Sequence, residues 1–140
     1  MTSKLFIDSD VVIDLFTDRQ PFVNAASEIF ELGEVGEVKL YLSTASINNI
    51  YYIVRRYLGH KDTLKGIEEL TEITELVGTS KTEILQALRN DFKDFEDSIQ
   101  YSCALTIKGV EAILTRNIKD YTNSKIAVFS PEDYLKTRQG

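Results

Sequence analysis

Apolar positions along the chain fall into short continuous runs and longer stretches spaced by three and four, the periods of strands and helices respectively. Lys4-Leu-Phe-Ile-Asp8 is a short apolar run that ends on a carboxylate and predicts a buried strand. Val11 to Phe16 supplies a first helical turn or two, broken by Asp18-Arg-Gln-Pro21. Phe22, Ala25, Ala26, Ile29, Phe30 and Leu32 then share one helical face, and Gly33 is expected to end that helix. Val38-Lys-Leu-Tyr-Leu42 alternates as a strand does. Ser43 or Thr44 is placed to cap a helix with the stripe Ile47, Ile50, Tyr51, Val54 and Leu58, closed by Gly59. Lys61 to Glu72 predicts a polar-faced helix, Ile73 to Val77 a third strand, and a helix opened by Thr79 or Ser80 reaches Leu88. The acidic stretch Asp91 to Asp97 leads into a helix running to Lys108 and ended by Gly109. Ala112 to Thr115 and Ile126 to Phe129 are further strands, and Pro131 introduces a short helix from Glu132 to Lys136.

Strands separated by helices, with apolar rather than alternating cores, indicate a parallel sheet covered on both faces. The expected class is therefore α/β, with residues 1–140 forming one domain. A length of 140 residues suffices for one hydrophobic core, and 43% hydrophobic with 27% charged residues is ordinary for a globular protein. No apolar run is long enough for a membrane span, which needs roughly 18 residues or more, and the strand-like start leaves no room for a signal peptide. One cysteine, Cys103, forbids an internal disulfide and fits a cytoplasmic location; its place in a helical pattern makes it a core residue. The formal net charge of −6 argues against a protein that grips long nucleic acid by phosphate neutralisation. It leaves room for a nuclease, because carboxylates that hold cations add negative charge that the bound ions offset.

In open parallel sheets the ligand crevice lies beyond the carboxyl ends of the strands. The polar residues at those ends are Asp8, Ser9 and Asp10, then Ser43 to Asn49, then Thr115 to Asp120. Hard oxygen ligands without neighbouring histidines suit Mg²⁺ or Mn²⁺ rather than zinc, and one histidine with one cysteine excludes a Cys/His zinc site. Asp94 is placed to cap the helix that follows, with Glu96 and Asp97 favourably set against its dipole. Asp94 and Asp97 also share a helix face and can converge on one cation; both roles stay open. Asn117 and Asp120 suit an ordinary turn as well as a site. Tyr51, Tyr52 and Tyr57 with Arg55 and Arg56 form either a base-stacking, phosphate-contacting face or a solvated surface. His60, beside Gly59, is expected to face solvent.

Four segments in this order resemble the PIN domain family, most closely its VapC-like toxin branch. Phe6-Ile-Asp8-Ser-Asp-Val-Val-Ile-Asp-Leu-Phe16 is similar to the family's opening strand, metal-binding aspartate and first helix. Ser46 to Val54 resembles the helix that supplies a glutamate, Asp94 to Ala104 the helix with the third acid, and Leu114 to Tyr121 the strand end with the fourth position. Two positions depart from the family: the glutamate is Asn49, beside Asn48, and the fourth acid is Asn117. The resemblance implies a three-layer α/β/α fold with about five parallel strands. It implies Mg²⁺- or Mn²⁺-dependent hydrolysis of RNA, with Asp8 and Asp97 anchoring the ion and Asp94 or Asp120 binding a second ion or positioning water. Ser9 and Thr115 would hydrogen-bond the phosphate, and Asn49 and Asn117 would contact substrate; Arg55 and Arg56 are candidates for substrate contact on their own chemistry. A homodimer and a separately encoded antitoxin are implied as well.

Two rival readings accompany it. Asn49 and Asn117 allow a PIN domain whose catalysis is weakened or lost and which binds RNA or a partner. Asp8-Ser-Asp10 also resembles the opening of haloacid dehalogenase-like phosphatases, in which the first aspartate is the nucleophile. Against that stand the short chain and the lack of a lysine motif followed by a paired-acid strand end.

Overall fold

The computed structural model describes residues 2–139. Its strands β1 (Ser3–Ile7), β2 (Val38–Ser43), β3 (Glu75–Val77), β4 (Val110–Leu114) and β5 (Ala127–Phe129) pair in parallel in the order β3-β2-β1-β4-β5. The connecting helices are α1 (Ser9–Phe16), α2 (Val23–Glu34), α3 (Thr44–Ile73), α4 (Lys81–Arg89), α5 (Phe95–Leu105) and α6 (Pro131–Gln139), with a 3-10 turn over Ile118–Tyr121. Alternation along β1 splits its side chains between two cores. Leu5 and Ile7 join Leu40, Leu42, Ala112 and Leu114 under α1, α2, α3 and α6. Phe6 and Ile113 meet Tyr101, Cys103, Ala104 and Ile107 of α5 on the other face, and α4 packs on α5. The three-layer arrangement read from the sequence is thus present, with Cys103 fully buried as expected.

The chain builds outward from β1 through β2 to β3, then returns to lay β4 on the opposite side of β1. That reversal makes the β1/β4 boundary the switch point of the sheet, where the ends of two neighbouring strands diverge and a crevice opens. Asp8 follows β1 there, and Thr115 follows β4.

Several boundaries differ from expectation for local reasons. The second helix runs past Gly33 to Glu34; Gly33 instead lets the helix approach Leu40, whose Cδ1 would lie 2.5 Å from an added Cβ. The third strand shrinks to Glu75–Val77 because helix α3 continues through Ile73. Helix α5 stops at Leu105, short of Lys108, where Thr106 turns its hydroxyl back to the Cys103 carbonyl. Strand β4 begins earlier, at Val110, strand β5 begins at Ala127, and the last helix is longer at both ends. Ser43 caps α3, accepting from the Ala45 amide at 3.1 Å, and Ser80 forms a capping box with Glu83. His60 is exposed, its Nδ1 2.8 Å from the Tyr51 hydroxyl.

Gly59 interrupts α3 with φ 80° and ψ 169°, so the expected two helices abut at a kink. That backbone region is essentially closed to residues with a Cβ. Gly59→Ala is expected to cost about 1–3 kcal/mol in urea denaturation, the usual strain of such a conformation. An unchanged midpoint would mean that the kink relaxes without penalty.

Candidate functional site

Asp8 occupies the N-cap position of α1, yet its side chain caps nothing; it turns into the crevice and is 3% exposed. Its Oδ1 accepts from Gln100 Nε2 (3.0 Å) and from the Ser9 hydroxyl (3.4 Å). Its Oδ2 accepts from the Thr115 hydroxyl (2.8 Å) and the Tyr121 phenol (3.1 Å). These donors come from α1, α5, the end of β4 and the 3-10 turn. Gln100 is itself fixed: its Oε1 accepts from the Ser9 amide and the Ser46 hydroxyl, both at 3.3 Å. That pattern determines the orientation of the amide, since only Nε2 can donate to a carboxylate.

Asp10 lies one shell outward. Its Oδ2 accepts from the Arg116 amide (3.1 Å) and Asn117 Nδ2 (3.2 Å), with the Thr115 hydroxyl 3.2 Å away. The single Thr115 proton can serve Asp8 or Asp10, not both at once. Asp10 Oδ1 is buried without a partner. The loop that carries these donors is pinned by Arg116, whose guanidinium grips buried Asp14 through Nε (2.8 Å) and Nη2 (3.2 Å) and stacks 4.6 Å from the Phe22 ring centroid.

Across the crevice, Asp94 caps α5 by accepting from the Glu96 and Asp97 amides at 2.8 and 3.4 Å. Of the two roles open for Asp94, these hydrogen bonds are those of the cap. Glu96 Oε1 lies 3.3 Å from Asn49 Nδ2 and 3.5 Å from the Ser9 hydroxyl. Asn49 therefore faces the crevice, and its exposed neighbour Asn48 makes no such contact. The helix position that lacks an acid is thus apposed to an acid from the opposite helix.

Burial and crowding hold protons on this cluster. Burial, then the charge of Asp8, raises Asp10 to about 7 and Asp97 to about 8. Asp94, Asp120 and Glu96 add to the field at Asp97, and burial with Asp8 and Asp94 raises Glu96. Burial, with Asp8 and Asp97, also pushes the Tyr121 phenol up, so it stays a donor.

Thr115 is fully buried, and its hydroxyl is turned to the carboxylates. The Ser9 hydroxyl is likewise turned to Asp8 and Glu96 rather than outward. Asn117 holds Asp10, and Asp120 sits exposed at the rim. Arg55 and Arg56 are exposed on α3 and share no hydrogen bond or ion pair with the acids among the described residues. Sequence reasoning missed Gln100 and Tyr121 as donors and Glu96 as a site acid. Gln100 had one available signal, since it falls one turn beyond Asp97 and opens the buried run Gln100 to Ala104.

Among the described residues no three carboxylates lie close enough to enclose a cation by themselves. This fits an ion that keeps several waters and takes only one or two carboxylates plus substrate oxygens, as Mg²⁺ does, better than an all-protein cage. Acids that repel one another, and the buried Asp10 Oδ1 without a partner, are the electrostatic counterpart of such a site.

The PIN domain family profile matches residues 4–119. The chain is similar to Ribonuclease VapC1 of Aquifex aeolicus (strain VF5), 27% identical over 140 residues that span 96% of this chain and 95% of that protein. Its fold is that of a toxin–antitoxin complex from Klebsiella pneumoniae (TM-score 0.67, 22% identity, 92% of this chain and 98% of that one). It is also that of DNA-bound VapBC from Salmonella typhimurium (TM-score 0.69, 14% identity, 93% and 99%). The phosphatase reading is set aside by the family match.

Raised carboxyl pKa values mean that the folded, metal-free chain binds more protons than the unfolded one between about pH 4 and 8, so its stability falls as pH rises through that window. Melting temperatures in EDTA should decline from pH 5 to 8, and Asp97→Asn should flatten the decline. A wild-type profile that is level or rising would contradict the proposed crowding of acids.

Proposed function

Because the chain belongs to the PIN domain family, we propose that it is a divalent-metal-dependent endoribonuclease and the toxin of a toxin–antitoxin pair. The observation that carries this reading is the convergence of Asp10, Glu96 and Asp97 on the buried Asp8 carboxylate at the β1/β4 switch point. Asp8 and Asp97 are the carboxylates that would hold Mg²⁺ or Mn²⁺, with the charge of Glu96 beside them. Bound there, the ion supplies positive charge for the phosphate oxygens and makes a water acidic enough to attack near neutral pH.

The chain's own residues do the rest. Gln100, Thr115 and Tyr121 fix the Asp8 carboxylate, so little reorganisation is needed when charge develops. Asn49 and Ser9 orient Glu96, and Asn117 with the Arg116 amide orients Asp10. In the reaction a bond forms from water oxygen to phosphorus and an ester P–O bond breaks; the water's proton passes to the carboxylate cluster, and the departing oxygen takes up a proton from solvent. Asp120 adds negative charge at the rim, where it helps to hold a cation. Glu96 supplies the carboxylate absent at position 49, which favours an active enzyme over a weakened one.

A structural relative supports the partner reading: the Klebsiella pneumoniae protein is part of a toxin–antitoxin complex. The antitoxin segment would cover the acidic crevice, and the toxin would act as a homodimer. No helix of the described residues is long and apolar enough to cross a membrane; a ribonuclease acting on cellular RNA would work in the cytoplasm.

Purified protein incubated with a mixed RNA pool should cleave it with Mg²⁺ or Mn²⁺ and stop in EDTA. Asp8→Asn and Asp97→Asn should each abolish cleavage, whereas Asp94→Ala should mainly lower stability, by about 0.5–2 kcal/mol for a lost cap. Cleavage that persists in EDTA, or near-normal turnover by Asp97→Asn, would overturn the assignment.

A further inference from the structure

Helix α3 begins at the crevice and leads away from it. From Val38 to Lys61 the chain contains no Asp or Glu, in a protein with 22 such residues. Arg55 and Arg56 fall within this stretch, and among the described residues neither pairs with a carboxylate. Asn49 marks the crevice end of the helix by its contact with Glu96. At 100° per residue, Tyr52 and Arg56 lie on the same stripe as Asn49, one and two turns further on. Tyr52 is 50% exposed. Its ring is held by Tyr51, edge-on at 5.2 Å, and by the Arg55 guanidinium, 5.4 Å from its centroid. An aromatic face fixed in place beside two unpaired cations is the arrangement that binds single-stranded nucleic acid, with bases stacking and phosphates pairing with guanidiniums.

We propose that the face of α3 running from Asn49 through Tyr52 to Arg55 and Arg56 seats the single strand of RNA as it leaves the acidic crevice. A base stacks on Tyr52, and the two arginines each take a phosphate. The proposal rests on the ribonuclease reading and extends it, because the face selects unpaired RNA over duplex. From Asn49 to Arg56 the stripe rises about 10 Å, the length of about three nucleotides at duplex spacing. The acid-free stretch also explains how a chain of net charge −6 can admit a polyanion: the strand approaches along the first half of α3, which carries no acid to repel it.

Binding is measured by fluorescence anisotropy in the Asp8→Asn background with Mg²⁺, using an unstructured RNA of about a dozen nucleotides. Adding Tyr52→Ala should weaken binding on the order of tenfold, and Tyr52→Phe should restore it, since stacking needs the ring and not the hydroxyl. Arg55→Ala and Arg56→Ala should each reduce the slope of log Kd against log salt by about 0.7, one phosphate contact on a single strand. Duplex RNA of the same sequence should bind more weakly and ignore Tyr52→Ala. Parental affinity in Tyr52→Ala, or unchanged salt slopes in both arginine variants, would overturn the proposal. So would loss of affinity that tracks a fall in molecular mass on sizing, which would make the face a contact between two copies of this chain. Absence of cleavage by the wild-type protein would count against the ribonuclease reading alone, because binding is read without turnover.

Discussion

A carboxylate withdrawn from water costs several kcal/mol unless other groups replace its hydration. Asp8 is almost fully buried, and four side-chain donors take the place of its water: Ser9, Gln100, Thr115 and Tyr121. Hydrogen bonds to a charged group are worth about 1.5–3 kcal/mol each, so losing one donor leaves a penalty comparable to a large core mutation. The donors belong to elements far apart in sequence, which makes this carboxylate a knot tying α1, α5 and the segment after β4 to one point above the sheet. The charge held there then sets the behaviour of its neighbours: Asp10, Glu96 and Asp97 each bind a proton more readily partly because Asp8 is close.

Packing and chemistry are therefore joined at the switch point. The sheet places the ends of β1 and β4 side by side, and the Asp14–Arg116 ion pair, clamped over Phe22, fixes the loop that brings Thr115 and Asn117 onto the acids. The second layer is rigid and largely neutral. The first is acidic and repulsive, and it gains most from a cation. That contrast matches a preorganised site whose occupant brings the missing positive charge.

Much of this was legible in the sequence because it depends on local pattern. Apolar runs gave the strands, spacing of three and four gave the helices, and the rule that ligands sit beyond strand ends singled out Asp8 and the segment from Thr115 to Asp120. The boundaries that moved did so for tertiary reasons, as where Gly33 serves close packing on Leu40 instead of ending its helix. The roles of Gln100 and Tyr121 were hidden because a buried donor is defined by what it faces from another part of the chain. Glu96 was hidden behind a sufficient local explanation, that an acid in the first turn of α5 complements the helix dipole. The apparent gap at Asn49 is a one-dimensional view of a position that Glu96 reaches from across the crevice.

That apposition is the point at which the account is most exposed. Glu96→Gln keeps the size of the side chain and an oxygen that can accept from Asn49, while removing only the charge. Calorimetric titration of Mn²⁺ into wild-type protein and this variant isolates the charge. Loss of one carboxylate near a divalent ion should weaken binding by about tenfold or more at an effective dielectric near 20, with the melting temperature of the metal-free protein preserved or raised. Equal Mn²⁺ affinity in the two proteins would contradict the assignment of Glu96 as the acid that completes the site.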